Sequence, residues 1–270
     1  MMITGLSQRV VLITGASGGI GSAIARTFAA EGARVVAHYG QRREAAEALA
    51  HELGEACLPI GADLTNEAAV RHLFATIESS WGPVDIVVAN AGIWVGDYVP
   101  LERMTLDQWN RTVTTNLTSV FLCLREFFRG IERHRLLEPA AVLIGSTAAL
   151  FGEAGHADYA AAKAGMTYGL ALSLKNEIAR LAPRGRINVV CPGWTVTPMT
   201  RDFAADAAMV RQALQTVPLR KVASADDVAQ SVLFLASARL AGHISGQILT
   251  VAGGMEGRVL YDENEIAVKM

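Results

Sequence analysis

Eight residues near the start limit the fold more than any other part of the chain. The apolar run Val10 to Thr14 passes straight into Thr14-Gly15-Ala16-Ser17-Gly18-Gly19-Ile20-Gly21, where an Ala-rich helical pattern begins. Glycines are needed where a backbone must turn tightly and meet a ligand without a Cβ in the way. A helix N-terminus behind them offers unpaired N–H groups and partial positive charge to an anion. Such a turn can also merely end a strand. Its place after a first strand and before a helix favours dinucleotide binding.

The rest of the chain repeats this strand-then-helix grammar. Val10 to Thr14, Arg34 to Ala37, Leu58 to Asp63, Asp85 to Ala89, Ala141 to Gly145, Ile187 to Cys191 and Gln247 to Val251 read as strands. Most are apolar at both alternating positions, the pattern of parallel strands covered on both faces. Helical patterns fall near 19–31, 43–53, 66–80, 105–130, 157–182 and 226–237. The alternation predicts an α/β, Rossmann-type doubly wound sheet with helices on both faces. Residues 1–255 read as a single dinucleotide-binding and catalytic domain, and 256–270 as a polar C-terminal tail. The irregular stretch from Thr195 to Ala223 is expected to be a large connection near the site.

Composition narrows the partners. With 51% hydrophobic and 19% charged residues, the 270-residue chain is not of the disordered type. A net charge of −2 gives generic nucleic-acid binding no support. Cys57, Cys123 and Cys191 are too scattered for a disulfide framework, and no Cys/His spacing suggests a metal. No signal-like start or membrane-length apolar run is seen, so a cytoplasmic protein is expected.

Further motifs follow in order. Asn90-Ala91-Gly92 comes after the fourth strand, and Asn116 lies in the next helical pattern. Ser146 follows the fifth strand, with Tyr159-Ala160-Ala161-Ala162-Lys163 beginning 13 residues later. Pro192-Gly193 closes the sixth strand. The glycine spacing is G-x-x-x-G-x-G rather than G-x-G-x-x-G. The ordered set resembles the short-chain dehydrogenase/reductase family from about Arg9 to Met255. Within it, the chain is most like the 3-oxoacyl-acyl-carrier-protein reductases. The resemblance implies seven parallel strands in the order 3-2-1-4-5-6-7, and a nicotinamide cofactor.

Tyr159 and Lys163, spaced i and i+4, share one helix face. Lowering a phenol pKa from near 10 to about 7 takes roughly 4 kcal/mol, and a neighbouring ammonium supplies stabilisation of that kind. The resemblance assigns Tyr159 as general acid/base. Lys163 becomes its electrostatic partner and a ligand of the nicotinamide ribose. Ser146 binds the substrate oxygen, and Asn116 holds a water linking Lys163 to solvent. It also implies cofactor contacts from Gly15, Ser17, Gly18, Gly19, Ile20 and Gly21, from Asn90, Ala91 and Gly92, from Asp63 and Leu64 at the adenine, and from Pro192, Gly193, Thr195 and Thr197. Asp63 also reads as a cap of the following helix.

The second strand ends Ala37-His38-Tyr39-Gly40-Gln41-Arg42-Arg43, with no acid for a ribose 2′-OH before Glu44. Tyr39 and Arg42 are therefore expected at the cofactor. Arg42 or Arg43 suits a 2′-phosphate, which favours NADP over NAD, although both arginines also suit a solvated helix start. Many NADP-dependent relatives carry Arg or Lys where this chain has Gly18.

Trp94 and Trp194 follow strands whose ends face the expected substrate mouth, either as an aromatic wall or as loop packing. Glu153 and His156 lie nearby in sequence without an assigned role. Arg125, Arg129 and Arg133 read as a basic stripe or as a solvated helix face. The expected partner is a small-molecule carbonyl or alcohol, with hydride exchanged with NADP(H). The alternatives are an NAD-dependent alcohol, sugar or steroid dehydrogenase, and a non-catalytic cofactor-binding regulator. The resemblance also implies a homotetramer or homodimer built on the helices carrying Asn116 and Tyr159.

Overall fold

The computed structural model describes residues 4–200 and 205–259. Part of the connection from Thr195 to Ala223, and the tail from 260 onward, lie outside the described residues. Seven strands form one parallel sheet: β1 (Val10–Ile13), β2 (Arg34–Tyr39), β3 (Cys57–Gly61), β4 (Ile86–Ala89), β5 (Ala140–Ile144), β6 (Arg186–Pro192) and β7 (Ile248–Val251). Their order is β3-β2-β1-β4-β5-β6-β7, as the resemblance implied. β1, β4, β5 and β6 are buried along their whole length. This explains their unbroken apolar runs, because helices cover both faces.

On one face, α1 (Gly19–Ala30) and the helix Ala225–Ala236 pack Ile24, Phe28, Val228 and Val232 against Val11, Ile13, Val35 and Val142. On the other face lie α3 (Glu67–Trp81), α5 (Ser119–His134) and α8 (Ala171–Leu181). They bury Leu73, Phe127 and Ile178 against Leu12, Val87 and Leu143. α2 (Arg43–Leu53) flanks β2 and β3. Arg186, buried on β6, donates to the carbonyls of Leu235, Ala236 and Ala241. A cation thus satisfies helix-end acceptors that would otherwise be buried unpaired.

Helix starts are capped where polar side chains are available. Asn66 accepts from Ala69 N–H at α3, and Ser224 with Asp227 forms a capping box. α1 has no such cap, and neither do α2 and α7 (Ala157–Ala164). The N-cap of α1 is Gly18, which makes no side-chain bond, and no acid sits in its first turn. The end of α1 that meets β1 is therefore left for an external anion. It stands between β1 and β4, where the strand order reverses and ligands of such sheets bind.

The long patterns at 105–130 and 157–182 are each a broken helix. α4 (Leu106–Val113) joins α5 through a π turn at Thr114–Thr118, and α7 (Ala157–Ala164) joins α8 through another at Gly165–Leu170. Such turns interrupt helices where side chains need special placement. The first carries Asn116, and the second begins two residues after Lys163.

Candidate active site

A cavity of about 1190 Å³ runs along the carboxyl edge of the sheet. Ordinary small-molecule pockets reach roughly 1,000 Å³, so this one has room for a large ligand. Gly15, Ser17, Gly18, Gly19, Ile20 and Gly21 line one end, together with Arg42, Asp63, Leu64, Asn90, Ala91 and Gly92. Ser146, Tyr159, Lys163, Pro192, Gly193, Thr195 and Thr197 line the other parts.

Gly15, Gly19 and Gly21 of the turn leave no room for side chains. Gly15 has φ +66, and a Cβ on Gly21 would strike the Gly15 carbonyl oxygen. A Cβ on Gly19 would sit 2.8 Å from Thr197 Cβ, so the connection after β6 folds down over the turn. Thr200 fixes that connection by donating to the Thr195 carbonyl at 2.6 Å and accepting from Thr197 N–H at 3.1 Å. The turn is also pinned from below. Thr14 Oγ1 accepts from Asn90 N–H and Ala91 N–H, both at 2.9 Å, while Asn90 Nδ2 donates to the Thr14 and Gly15 carbonyls.

His38 was not singled out from the sequence, yet it completes this support. It is buried in β2; its Nδ1 accepts from Gly15 N–H at 3.1 Å and its Nε2 donates to the Ala62 carbonyl at 3.0 Å. Those two bonds fix a neutral ring, and burial pushes its pKa below the ordinary value. The signal available was a histidine inside an otherwise apolar strand. Tyr39, expected at the cofactor, does not line the cavity: its ring lies over Gly61, whose added Cβ would be 2.7 Å away. Neighbouring residues of a strand face opposite ways, and here His38 takes the inward place.

Arg42 and Arg43 separate clearly. Arg43 is held by Glu47 at 2.7 Å. Arg42 lines the cavity, makes no ion pair among the described residues, and lies 3.6 Å from where a Gly18 Cβ would be. Its guanidinium therefore occupies the region that a basic residue at position 18 would fill. Asp63 accepts from Thr65 N–H and Oγ1 and shapes the turn before α3, while Asn66 is the cap. Those bonds hold the Asp63 carboxyl below its usual range.

At the other end, Ser146 lies close enough to Tyr159 to favour its phenolate. Lys163 Nζ donates to the Ile144 carbonyl at 2.7 Å and lies 5.8 Å from the centre of the Tyr159 ring. Desolvation pushes the Tyr159 phenol up to about 12, against the help of Ser146. Desolvation also brings the Lys163 ammonium down to about 8. Asn116 is fully buried behind the cavity wall, its amide bonded to both backbone groups of Ile93 at 2.7 and 2.8 Å. A Cβ on Gly92 would touch Asn116 Oδ1 at 3.1 Å and approach Lys163 Nζ at 3.7 Å, so all three meet at one point.

Trp94 and Trp194 both line the cavity and meet edge to face, ring centres 6.4 Å apart. The basic stripe is internally neutralised. Arg125 pairs with Glu67, Arg129 with Glu126, and Arg133 with Glu78. Among the described residues no cluster could hold a metal ion, and no helix is long and apolar enough to cross a membrane.

A glycine-rich turn, an uncapped helix end and an arginine without an ion pair among the described residues fit a phosphorylated dinucleotide. Ser146, Tyr159 and Lys163 line the same cavity. A family model described as Enoyl-(Acyl carrier protein) reductase matches residues 15–256. The chain is 38% identical over 250 residues to the 3-oxoacyl-[acyl-carrier-protein] reductase FabG of Escherichia coli, covering 92% of this chain and 97% of that one. It is 36% identical over 257 residues to the 3-oxoacyl-[acyl-carrier-protein] reductase of Synechocystis (94% and 99% covered). It is 37% identical over 249 residues to MabA of Mycobacterium tuberculosis, which carries the same description (92% and 93% covered). The chain belongs to the short-chain dehydrogenase/reductase family. It is an NAD(P)-dependent oxidoreductase.

Proposed function

We propose that the protein reduces a small-molecule ketone with NADPH, with Tyr159 as general acid and residues 1–255 acting as one catalytic unit. The observation that carries this reading is the convergence of Ser146, Tyr159 and Lys163 on one part of a cavity whose far end holds the glycine turn and Arg42. Gly15 to Gly21 and the α1 terminus would hold the pyrophosphate, and Arg42 the 2′-phosphate. Asp63 and Leu64 would flank the adenine, and Asn90 to Gly92 with Pro192 to Thr197 the nicotinamide half. NADPH, when bound, supplies the hydride.

The residues then divide the remaining work. Ser146 and Tyr159 hydroxyls hydrogen-bond the ketone oxygen and fix its position. Tyr159, held protonated at neutral pH by its buried setting, passes its proton to the oxygen as alkoxide character develops. Lys163, beside the phenol ring, stabilises the phenolate left behind. Asn116 positions the Gly92–Ile93 turn against Lys163 and serves the route by which the proton is replaced. The reading includes a homotetramer or homodimer. Phe121 and Tyr168, which stay 44% and 47% exposed on the two helical arms, support such pairing.

The second reading, an NAD-dependent alcohol, sugar or steroid dehydrogenase, differs in its cofactor. Titration with NADPH and NADH, followed by NADPH consumption against acetoacetyl thioesters, diketones, cyclic ketones and sugars, separates the two. Tighter NADPH binding with ketone turnover supports the reductase. Preference for NADH favours the dehydrogenase, and binding with no turnover favours a regulator.

A further inference from the structure

One carboxylate in the cavity has no part in the chemistry above. Glu153 sits between the short helix Ala148–Phe151 and α7, at the cavity wall. Its Oε1 accepts from Trp94 Nε1–H at 3.2 Å and lies 3.9 Å from His156 Nε2. The Trp94 ring in turn leans on His156, with centres 5.0 Å apart, and on Trp194. The carboxylate is thus braced by an aromatic cage and cannot swing away freely. Its side chain keeps 23% exposure, and Oε2 takes no hydrogen bond among the described residues. Phe151 and Met199, about half exposed, and Met255 add apolar surface along the same cavity.

A half-buried acceptor gains from a donor brought by a ligand, and a charged acceptor gains most. The same charge repels an anion. Flat aromatic walls accept a ring or a hydrocarbon body. The neighbouring Asp158 does not share this role, because its carboxylate is committed to Thr112 and Gln108. Glu153 is also near enough to Tyr159 for its charge to help push the phenol up, which places it close to the reacting oxygen.

Resting on the reductase reading, we infer that Glu153 is a specificity-determining residue. It selects ring-bearing carbonyl compounds that carry a hydrogen-bond donor, hydroxyl or ammonium, and it rejects free carboxylates.

Four acetophenones of nearly equal shape test this: the 4-aminomethyl, 4-hydroxymethyl and 4-ethyl compounds, and 4-acetylbenzoate. Binding is read from tryptophan fluorescence in the presence of NADP⁺, and turnover from NADPH consumption. The native protein is expected to bind the two donors about tenfold or more tighter than the carboxylate, with the ethyl compound between. Glu153→Gln should shrink the ammonium-to-carboxylate ratio to about threefold or less, with NADP⁺ affinity and melting temperature unchanged. Glu153→Leu should erase the preference for hydroxymethyl over ethyl. Unchanged ratios in both variants, or no binding of any of the four by the native protein, would overturn the assignment. If the binding ratios follow this pattern while no ketone is reduced, Glu153 keeps its role and the reductase reading fails instead.

Discussion

The guanidinium of Arg42 lies over Gly18, 3.6 Å from the point where a Cβ on that glycine would stand. The cation expected at position 18 in many NADP-dependent relatives is thus supplied from the N-cap of α2. Charge-assisted bonds to a phosphate are worth about 1.5–3 kcal/mol. Arg42→Gln is therefore expected to weaken NADPH about 10- to 100-fold by calorimetric titration, leaving NADH within about threefold. Arg43→Gln, which removes only an exposed pair with Glu47, should change neither affinity.

Gly21 has no space for a methyl group. Its Cβ would strike the Gly15 carbonyl and come within 2.8 Å of Asn90 Nδ2. Gly21→Ala must shift the turn, at a cost of about 1–3 kcal/mol. Cofactor affinity should fall by more than about tenfold, because the moved groups are the ones proposed to meet the pyrophosphate. Normal NADPH binding in a folded Gly21→Ala protein would refute that placement.

His38 latches the turn to the residue that follows β3, through Gly15 and Ala62. His38→Ala leaves a donor and an acceptor unpaired and should cost about 1–3 kcal/mol in urea unfolding. The pH dependence has a definite sign. The folded-state pKa is depressed by burial, so the unfolded chain binds the proton more readily. Stability from this site is present above about pH 6.5 and is lost as pH falls below it. The alanine variant should show a shallower acid-side decline.

Lys163 gives the opposite end of the scale. Its ordinary pKa of 10.5 is lowered to about 8. Between those values the unfolded chain binds more protons than the folded one, so stability rises with pH across the window. The rise amounts to at most about 3 kcal/mol. The difference in unfolding free energy between the native protein and Lys163→Met should therefore grow between pH 8 and 10. A flat difference would mean that the amine titrates normally.

Sequence periodicity carried the sheet because each strand repeats one local rule, apolar on both sides. All seven strands fall within two residues of their expected limits, with β2 running on to Tyr39 as His38 keeps the chain extended. What periodicity lacks is contact across space. It offered either Arg42 or Arg43 for a 2′-phosphate, where the Glu47 carboxylate holds Arg43. It placed Tyr39 in the cofactor set, where Gly61 draws its ring aside. Glu153 had no role from sequence because the tryptophan that braces it lies 59 positions away.

The most direct measurement compares NADPH-dependent ketone reduction by the native protein and Tyr159→Phe, with NADPH binding measured on both. Loss of a positioned general acid costs about 10²- to 10⁴-fold. The phenyl ring keeps the packing beside Lys163, so NADPH affinity should stay within about threefold while kcat falls by that factor. A Tyr159→Phe protein that binds NADPH and still turns over within about threefold of the native rate would contradict the proposed mechanism.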